Sequence, residues 1–112
     1  LVYGIMTIKY KNAKVDLTTT GATAVLTPAN ATTAVIKSIL ASEDSGNADT
    51  ITVTITDTAD AVFSVFKVKA VAANTTVELL TQPLVLAESE VLKATAATAN
   101  RLHIVASYME IS

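Results

Sequence analysis

Residues Asp49 to Asp57 read DTITVTITD, with Ile51, Val53 and Ile55 alternating with Thr50, Thr52, Thr54 and Thr56. Successive side chains of an extended chain point to opposite sides, so the aliphatic set and the hydroxyl set lie on opposite faces. Isoleucine, valine and threonine are stiff at the first torsion and fit a pleated surface better than a helix. The stretch therefore predicts a half-buried strand, with Ile51, Val53 and Ile55 inward and the threonines outward. Immediately upstream, SEDSGNAD (Ser42 to Asp49) carries Gly46 and Asn47, which tolerate positive φ, and before it TAVIKSILA (Thr33 to Ala41) is again β-rich. Together they predict a strand, a loop and a returning strand.

The same kind of pattern extends in both directions. An N-terminal strand is expected from Ile5 through Leu17, broken near Lys11 and Asn12. A short one follows over Thr23 to Leu26, ended by Pro28, which removes a ladder donor. On the C-terminal side come AVFSVFKVKAV, then VELL, LVLAESE beyond Pro83, EVLKATA, and RLHIVASYMEIS, with turn residues between them. ATAATAN is too short and too rich in threonine to stand as a helix. This gives about eight or nine short strands with turns every 8 to 12 residues, the spacing of an antiparallel β-sandwich, jelly-roll-like and all-β. At 112 residues the chain is expected to form a single β-domain over residues 1–112, with residues 1–14 as an N-terminal arm or an edge strand. Met6 opens an ordinary-looking beginning, MTIKYK, so that Leu1 to Ile5 read as upstream sequence.

Half of the residues are hydrophobic (51%), but only 4% are aromatic and 16% charged. Small aliphatic side chains bury little area each, so an isolated core made of them is thin, and association supplies the remainder. Two strands support this by being apolar on both sides. In the strand from Ala61, Val62, Phe66 and Val68 share one face by parity while Phe63 and Val65 take the other. In the last strand Leu102, Ile104, Ala106 and Tyr108 share one face, and Val105, Met109 and Ile111 the opposite one. A sandwich strand needs one buried face, so Phe63, Val65, Val105, Met109 and Ile111 are the subunit-contact candidates, unless a long loop covers them.

The formal charge of −2 speaks against a nucleic-acid partner, because phosphate contacts need clustered Lys and Arg. Lys67 with Lys69 reads as a solvated strip. No apolar run reaches the roughly 20 residues of a membrane helix. With no cysteine there are no disulfides or thiolate metal sites. His103 is the only histidine, which leaves no multi-histidine metal site and little choice of base for a nucleophile. The glycines Gly4, Gly21 and Gly46 are too scattered to cradle phosphate. Glu43, Asp44, Asn47 and Asp49 form the densest acidic cluster, but their spacing is not that of an EF-hand loop, and a solvated hairpin tip is the expected role. Asp57 with Asp60 and Glu88 with Glu90 flank turns, where carboxylates ordinarily sit in water. No catalytic residue, cofactor, metal or small-molecule substrate is therefore expected, and the chain is read as not an enzyme.

Three stretches carry a family resemblance: IKYKNAKVDL (Ile8 to Leu17), KSILASEDSGNADTITVTITD (Lys37 to Asp57) and KAVAANTTVELLTQPLVLAESEVLKATAATANRLHIVASYMEIS (Lys69 to Ser112). In these the chain, from Met6 onward, resembles small virion structural proteins of tailed bacteriophages, particularly phages of aquatic bacteria and cyanobacteria. The shared features are packing and turn patterns rather than catalytic signatures. The resemblance implies a capsid decoration (cement) protein, made in the bacterial host cytoplasm and displayed on the exterior of the phage head. Its partners would be itself, as a homotrimer, and the major capsid protein. Under that implication Tyr3, Lys9, Tyr10, Lys11 and Lys14 are candidates for contact with an acidic capsid surface; as an ordinary edge strand, the same lysines would discourage aggregation. The alternatives are a neck, collar, tail or fibre-base component and, more distantly, a carbohydrate-binding β-sandwich. The latter is disfavoured because the chain has no Trp and only Tyr3, Tyr10 and Tyr108 as tyrosine platforms.

Overall fold

The alternation of β4 (Asp49–Thr56) holds through most of its length: Ile51 and Val53 are buried and Thr50, Thr52 and Thr54 half-buried on the other side, while at its end Ile55 is half-buried and Thr56 buried. A computed structural model describes residues 6–112, and nothing in them is helical. The strands around β4 are β1 (Ile8–Asp16), β2 (Thr23–Leu26), β3 (Thr33–Glu43), β5 (Val62–Val71), β6 (Thr76–Glu78), β7 (Leu84–Leu86), β8 (Val91–Ala96) and β9 (Leu102–Ile111). The first strand is continuous, without the break expected near Lys11 and Asn12, because β9 pairs with it at every position from Ile8 to Asp16. Of the segment ATAATAN, Ala94–Ala96 end β8 and residues 97–100 form the bend and turn that follow, so no helix forms there.

Two antiparallel sheets stack face to face. Sheet A runs β1-β9-β3, with β6 and β7 sharing the far edge of β3, and sheet B runs β2-β8-β4-β5. The pairs β1 with β9, β2 with β8, β3 with β6 and β7, and β4 with β5 nest inside one another, as in one long hairpin wrapped onto itself. That is the jelly-roll-like sandwich expected from the strand spacing. Such wrapping makes most contacts distant in sequence while every connection stays short.

The core lies between the sheets. Sheet A contributes Ile36, Ile39, Leu86, Leu102 and Ile104, and sheet B contributes Ile51, Val53 and Leu92, all essentially inaccessible to water. Ala34, Ala41, Ala94, Ala96 and Ala106 stand among them at inward positions. Alternating small and branched residues lets the two inner faces interdigitate without voids.

Sheet B departs from strict alternation at β5. Between Ile51 and Val53 its partner residues skip from Lys69 to Phe66, and between Val53 and Thr54 from Phe66 to Ser64, so β5 carries extra residues at two places. Each such bulge turns the following side chains to the other face. The parity expectation for this strand is thereby overturned. Phe66 and Phe63 both fall opposite core-side residues, Val53 and Ile55, while Val62 falls opposite Thr56 on the outer side.

The first bulge gives the threonine face a task. Val68 has φ 52°, the left-handed region that a β-branched residue rarely enters, and its N–H, displaced from the ladder, donates to Thr52 Oγ1 at 3.0 Å. Thr52→Val should cost about 1 kcal/mol in denaturant unfolding, whereas Thr54→Val should be nearly silent. At the end of the same row Thr56 is buried and its Oγ1 has no hydrogen-bond partner among the described residues. Thr56→Val keeps the shape and removes an unpaired hydroxyl, so it should raise stability by about 1 kcal/mol in the same assay.

Candidate functional site

Cross-strand register shows which residues share the outer face of sheet A. Directly opposed residues of an antiparallel pair project to the same side. Starting from the outward residues of β9, Ile111 is flanked by Ile8 and Thr33, and Met109 by Tyr10 and Val35, with Val85 of β7 beyond Val35. These two adjacent rows assemble Ile8, Tyr10, Val35, Val85, Met109 and Ile111 into one apolar strip across four strands. Tyr10 is 80% exposed, Val85 58% and Ile8 47%, so none of the described residues covers that part of the strip, while Val35, Met109 and Ile111 are half-buried. The next row is polar, with Asn12, Ser107 and Ser38. The row after that holds Lys14, Val105 and Leu40. The strip is continuous in register across the four strands rather than scattered over the face.

The strip unites residues that the linear sequence divides into two groups. Met109 and Ile111, expected at a subunit contact, stand beside Tyr10, expected at a capsid contact. Val105 lies two rows away, next to Lys14. Lys11 makes an ion pair with Glu110 at 3.1 Å, and Lys9 is exposed on the same edge strand. Tyr3 lies outside the described residues. Lys37, pushed out of the ladder by a bulge in β3, joins Lys11, Tyr10 and Asn12 around a shallow hollow on this face. Ile8, Val35 and Val85 were not singled out by periodicity, because only the pairing register brings them to Met109 and Ile111.

The second expected surface, on β5, is divided. Val65 is half-buried and, with Phe66, lines a depression walled by Leu80 and Pro83 of the β6–β7 connection and Leu84 at the start of β7. Here a loop of the same chain does the covering. Phe63 remains 57% exposed, next to exposed Val62, at the end of the sandwich where the β4–β5 turn runs into β5.

The carboxylates are structural to a degree the sequence did not reveal. Glu43 was expected at a solvated hairpin tip; it is buried. Its Oε1 accepts N–H groups from Gly46 at 3.0 Å, Asn47 at 3.1 Å and Asn74 at 3.1 Å, and its Oε2 accepts from the Ser45 N–H at 2.9 Å and from the Ser45 hydroxyl. Burial works to raise its pKa, but these donors outweigh it, led by the Ser45 hydroxyl and the Asn74 N–H, and bring it down to about 2. The oxygens that a cation would need are thus occupied from inside the loop. Asp57 Oδ1 caps its own turn through Ala59 and Ala61, Glu90 closes the β7–β8 turn on Ala87, and Asp49 ties Thr98 to the hairpin. Glu78 reaches from β6 to the Ile39 N–H beside the β3 bulge. His103 lies on the outer face of sheet A, half-exposed between Asp16 at 3.3 Å and Asp44 at 3.5 Å. Among the described residues, no group of three or more His, Cys, Asp or Glu side chains is arranged to hold a metal ion.

Compared with known proteins, the chain matches no family model, no curated protein and no solved structure.

Proposed function

We propose that this chain is a non-enzymatic structural protein of a tailed-bacteriophage virion, a capsid decoration protein that binds the outside of the head shell and stabilises it. The observation that carries the reading is the apolar strip of Ile8, Tyr10, Val35, Val85, Met109 and Ile111. A sandwich that sets exposed Ile8, Tyr10 and Val85 around half-buried Val35, Met109 and Ile111 in two rows of one face offers an apolar surface for docking. The sequence resemblance to phage virion proteins supplies the setting. The carboxylates fit the same reading, since Glu43, Asp49, Asp57, Glu78 and Glu90 hold the backbone of the sandwich itself.

The mechanism is mechanical. A protein that binds only the assembled shell stabilises that state over its dissociated parts by mass action, and burial of the strip on assembly supplies the driving force. The test is the copy number of this chain in purified particles, measured by quantitative mass spectrometry. Hundreds of copies per particle, on the order expected for a repeated shell position, support decoration. About a dozen, the count of a neck or tail ring, move the protein to that alternative. Absence from particles overturns the virion reading.

A further inference from the structure

We infer that the free edge of β1 is a docking strand: an extended segment of another protein, alternating apolar and acidic residues, adds to it antiparallel as a further strand of sheet A. The inference deepens the docking reading above, rests on the apolar strip being a docking surface, and names the chemistry of the partner.

The backbone of β1 decides where a strand can add. Thr7 and Ser112 exchange both of their backbone hydrogen bonds, at 2.9 and 3.0 Å, and the Leu17 N–H donates to the Leu102 carbonyl at 3.0 Å. In an antiparallel ladder such bonded pairs alternate with unbonded ones. Between these two anchors β1 and β9 keep an unbroken register, so Lys9, Lys11, Ala13 and Val15 turn their N–H and C=O groups toward β9. Those of Ile8, Tyr10, Asn12, Lys14 and Asp16 point the other way, to an edge at which no described strand pairs.

The other sheet edges are poor templates. β2 has 4 residues and a register shift between Ala24 and Leu26, β6 and β7 have 3 residues each, and β5 carries its two bulges. Short strands and bulges are devices that close a sheet edge to foreign strands. β1 has 9 residues in continuous register, and only its lysines stand against pairing.

Side chains set the chemistry of the incoming segment. The two apolar rows of the outer face end at β1 on Ile8 and Tyr10, which are exposed because no further described strand flanks them. An apolar residue opposite each prolongs both rows. On the alternate face of β1 stand Lys9 and Lys11, and Glu110, directly opposite Lys9, makes its ion pair with Lys11. Lys14 is followed on the outer face by Asp16, which lies with Asp44 beside His103, so the far end of the edge carries no positive excess. The excess lies at Lys9 and Lys11, where carboxylates of an added strand complete cross-strand ion pairs. A second β1 would set lysine against lysine, so the edge selects against its own copy and for an acidic strand. In this mode of recognition main-chain bonds supply affinity and alternate side chains supply specificity.

The probe is a blocked synthetic peptide, Val-Glu-Val-Glu-Val-Glu-Val, titrated into isotope-labelled protein and followed by NMR and amide hydrogen exchange. Binding should be saturable, shift the amide resonances of Ile8 to Lys14, and slow exchange at Tyr10 and Asn12, whose N–H groups face the edge. Antiparallel addition pairs those groups with the valines. The peptide N-methylated at its valines should therefore not bind, whereas N-methylation of its glutamates, whose N–H groups face away, should leave binding in place. Lysine in place of glutamate in the peptide should weaken binding on the order of tenfold. In the protein, Asn12→Pro removes an edge-facing N–H that the ladder does not use, at a position where proline is tolerated. That variant should keep its melting temperature and lose the peptide, and Asn12→Ala should bind it like the wild type. Absence of binding at millimolar peptide overturns the inference, as does binding that survives N-methylation of the valines or that Asn12→Pro leaves untouched. If the proline variant fails to fold, the N-methylated peptides decide alone. Particle occupancy is read separately. A chain that sits on particles yet binds no peptide removes strand addition and leaves decoration standing, whereas peptide binding by a chain absent from particles does the reverse.

Discussion

Replacing Glu43 by glutamine should lower the melting temperature at neutral pH by on the order of 10 °C and abolish most of the acid sensitivity of the fold. The carboxylate is buried, and five donors from Ser45, Gly46, Asn47 and Asn74 converge on its two oxygens. Glutamine offers one acceptor oxygen and turns an amide NH₂ toward the remaining donors, so part of the cluster is left unsatisfied. The sign of the pH effect follows from the depressed pKa. With a folded-state value of about 2 against an ordinary 4.5, the ionised carboxylate stabilises the fold fully above pH 4.5. That contribution fades as the pH falls from there and is gone below about 2. Thermal melts of the two proteins should therefore differ most at neutral pH and converge as the pH approaches 2. Parallel curves across that window would show that Glu43 does not carry the acid response. The loop it organises connects β3 to β4 and reaches Asn74 in the β5–β6 turn, so its loss loosens one end of both sheets at once.

The contrast between β4 and Glu43 shows how far sequence reasoning reaches. In β8, in β9 as far as Met109 and in β4 as far as Thr54 the side-chain period of two is kept, and the inward sets Ile51 and Val53, Leu92 and Ala94, and Leu102 and Ile104 follow from alternation alone. In β5 the same reasoning fails because two bulges reset the parity, and no residue type marks them: Val68, with its left-handed φ, is a residue that local propensity would place in a regular strand. A bulge of this kind is decided by what the neighbouring strand offers, here the Thr52 hydroxyl. Glu43 was misread for a related reason. Four of its donors lie in its own loop, but Asn74 is 31 residues away, and burial follows from that distant contact. The apolar strip was half legible. Met109 and Ile111 are visible as the excess face of one strand, whereas Ile8, Val35 and Val85 join them only through the register of three strand pairs.

The two faces of β9 should separate stability from assembly. Ile104 is buried between the sheets, and Val105, the next residue, faces outward, half-exposed between Lys14 and Leu40. Ile104→Ala removes three carbon atoms from an interior already thinned by Ala94, Ala96, Ala106, Ala34 and Ala41. Neighbouring alanines cannot lengthen to refill the space, so the site collapses poorly, and the cost should fall at about 2–5 kcal/mol. Domains of this size hold about 5–15 kcal/mol in total, so the variant should unfold at markedly lower denaturant or be unfolded at 37 °C. Met109→Ser, five positions on and outward, should leave the denaturation midpoint of the monomer within about 0.5 kcal/mol of wild type, because its side chain packs on the solvent side of the sheet. What it should lose is association, since Met109 occupies the middle of the strip between Tyr10 and Val35. Chemical denaturation at low protein concentration and sedimentation at high concentration read the two effects apart. If Met109→Ser destabilises the monomer as much as Ile104→Ala does, the outer face is part of the fold's own packing. If it leaves both stability and association untouched, the strip is not the surface through which this protein assembles.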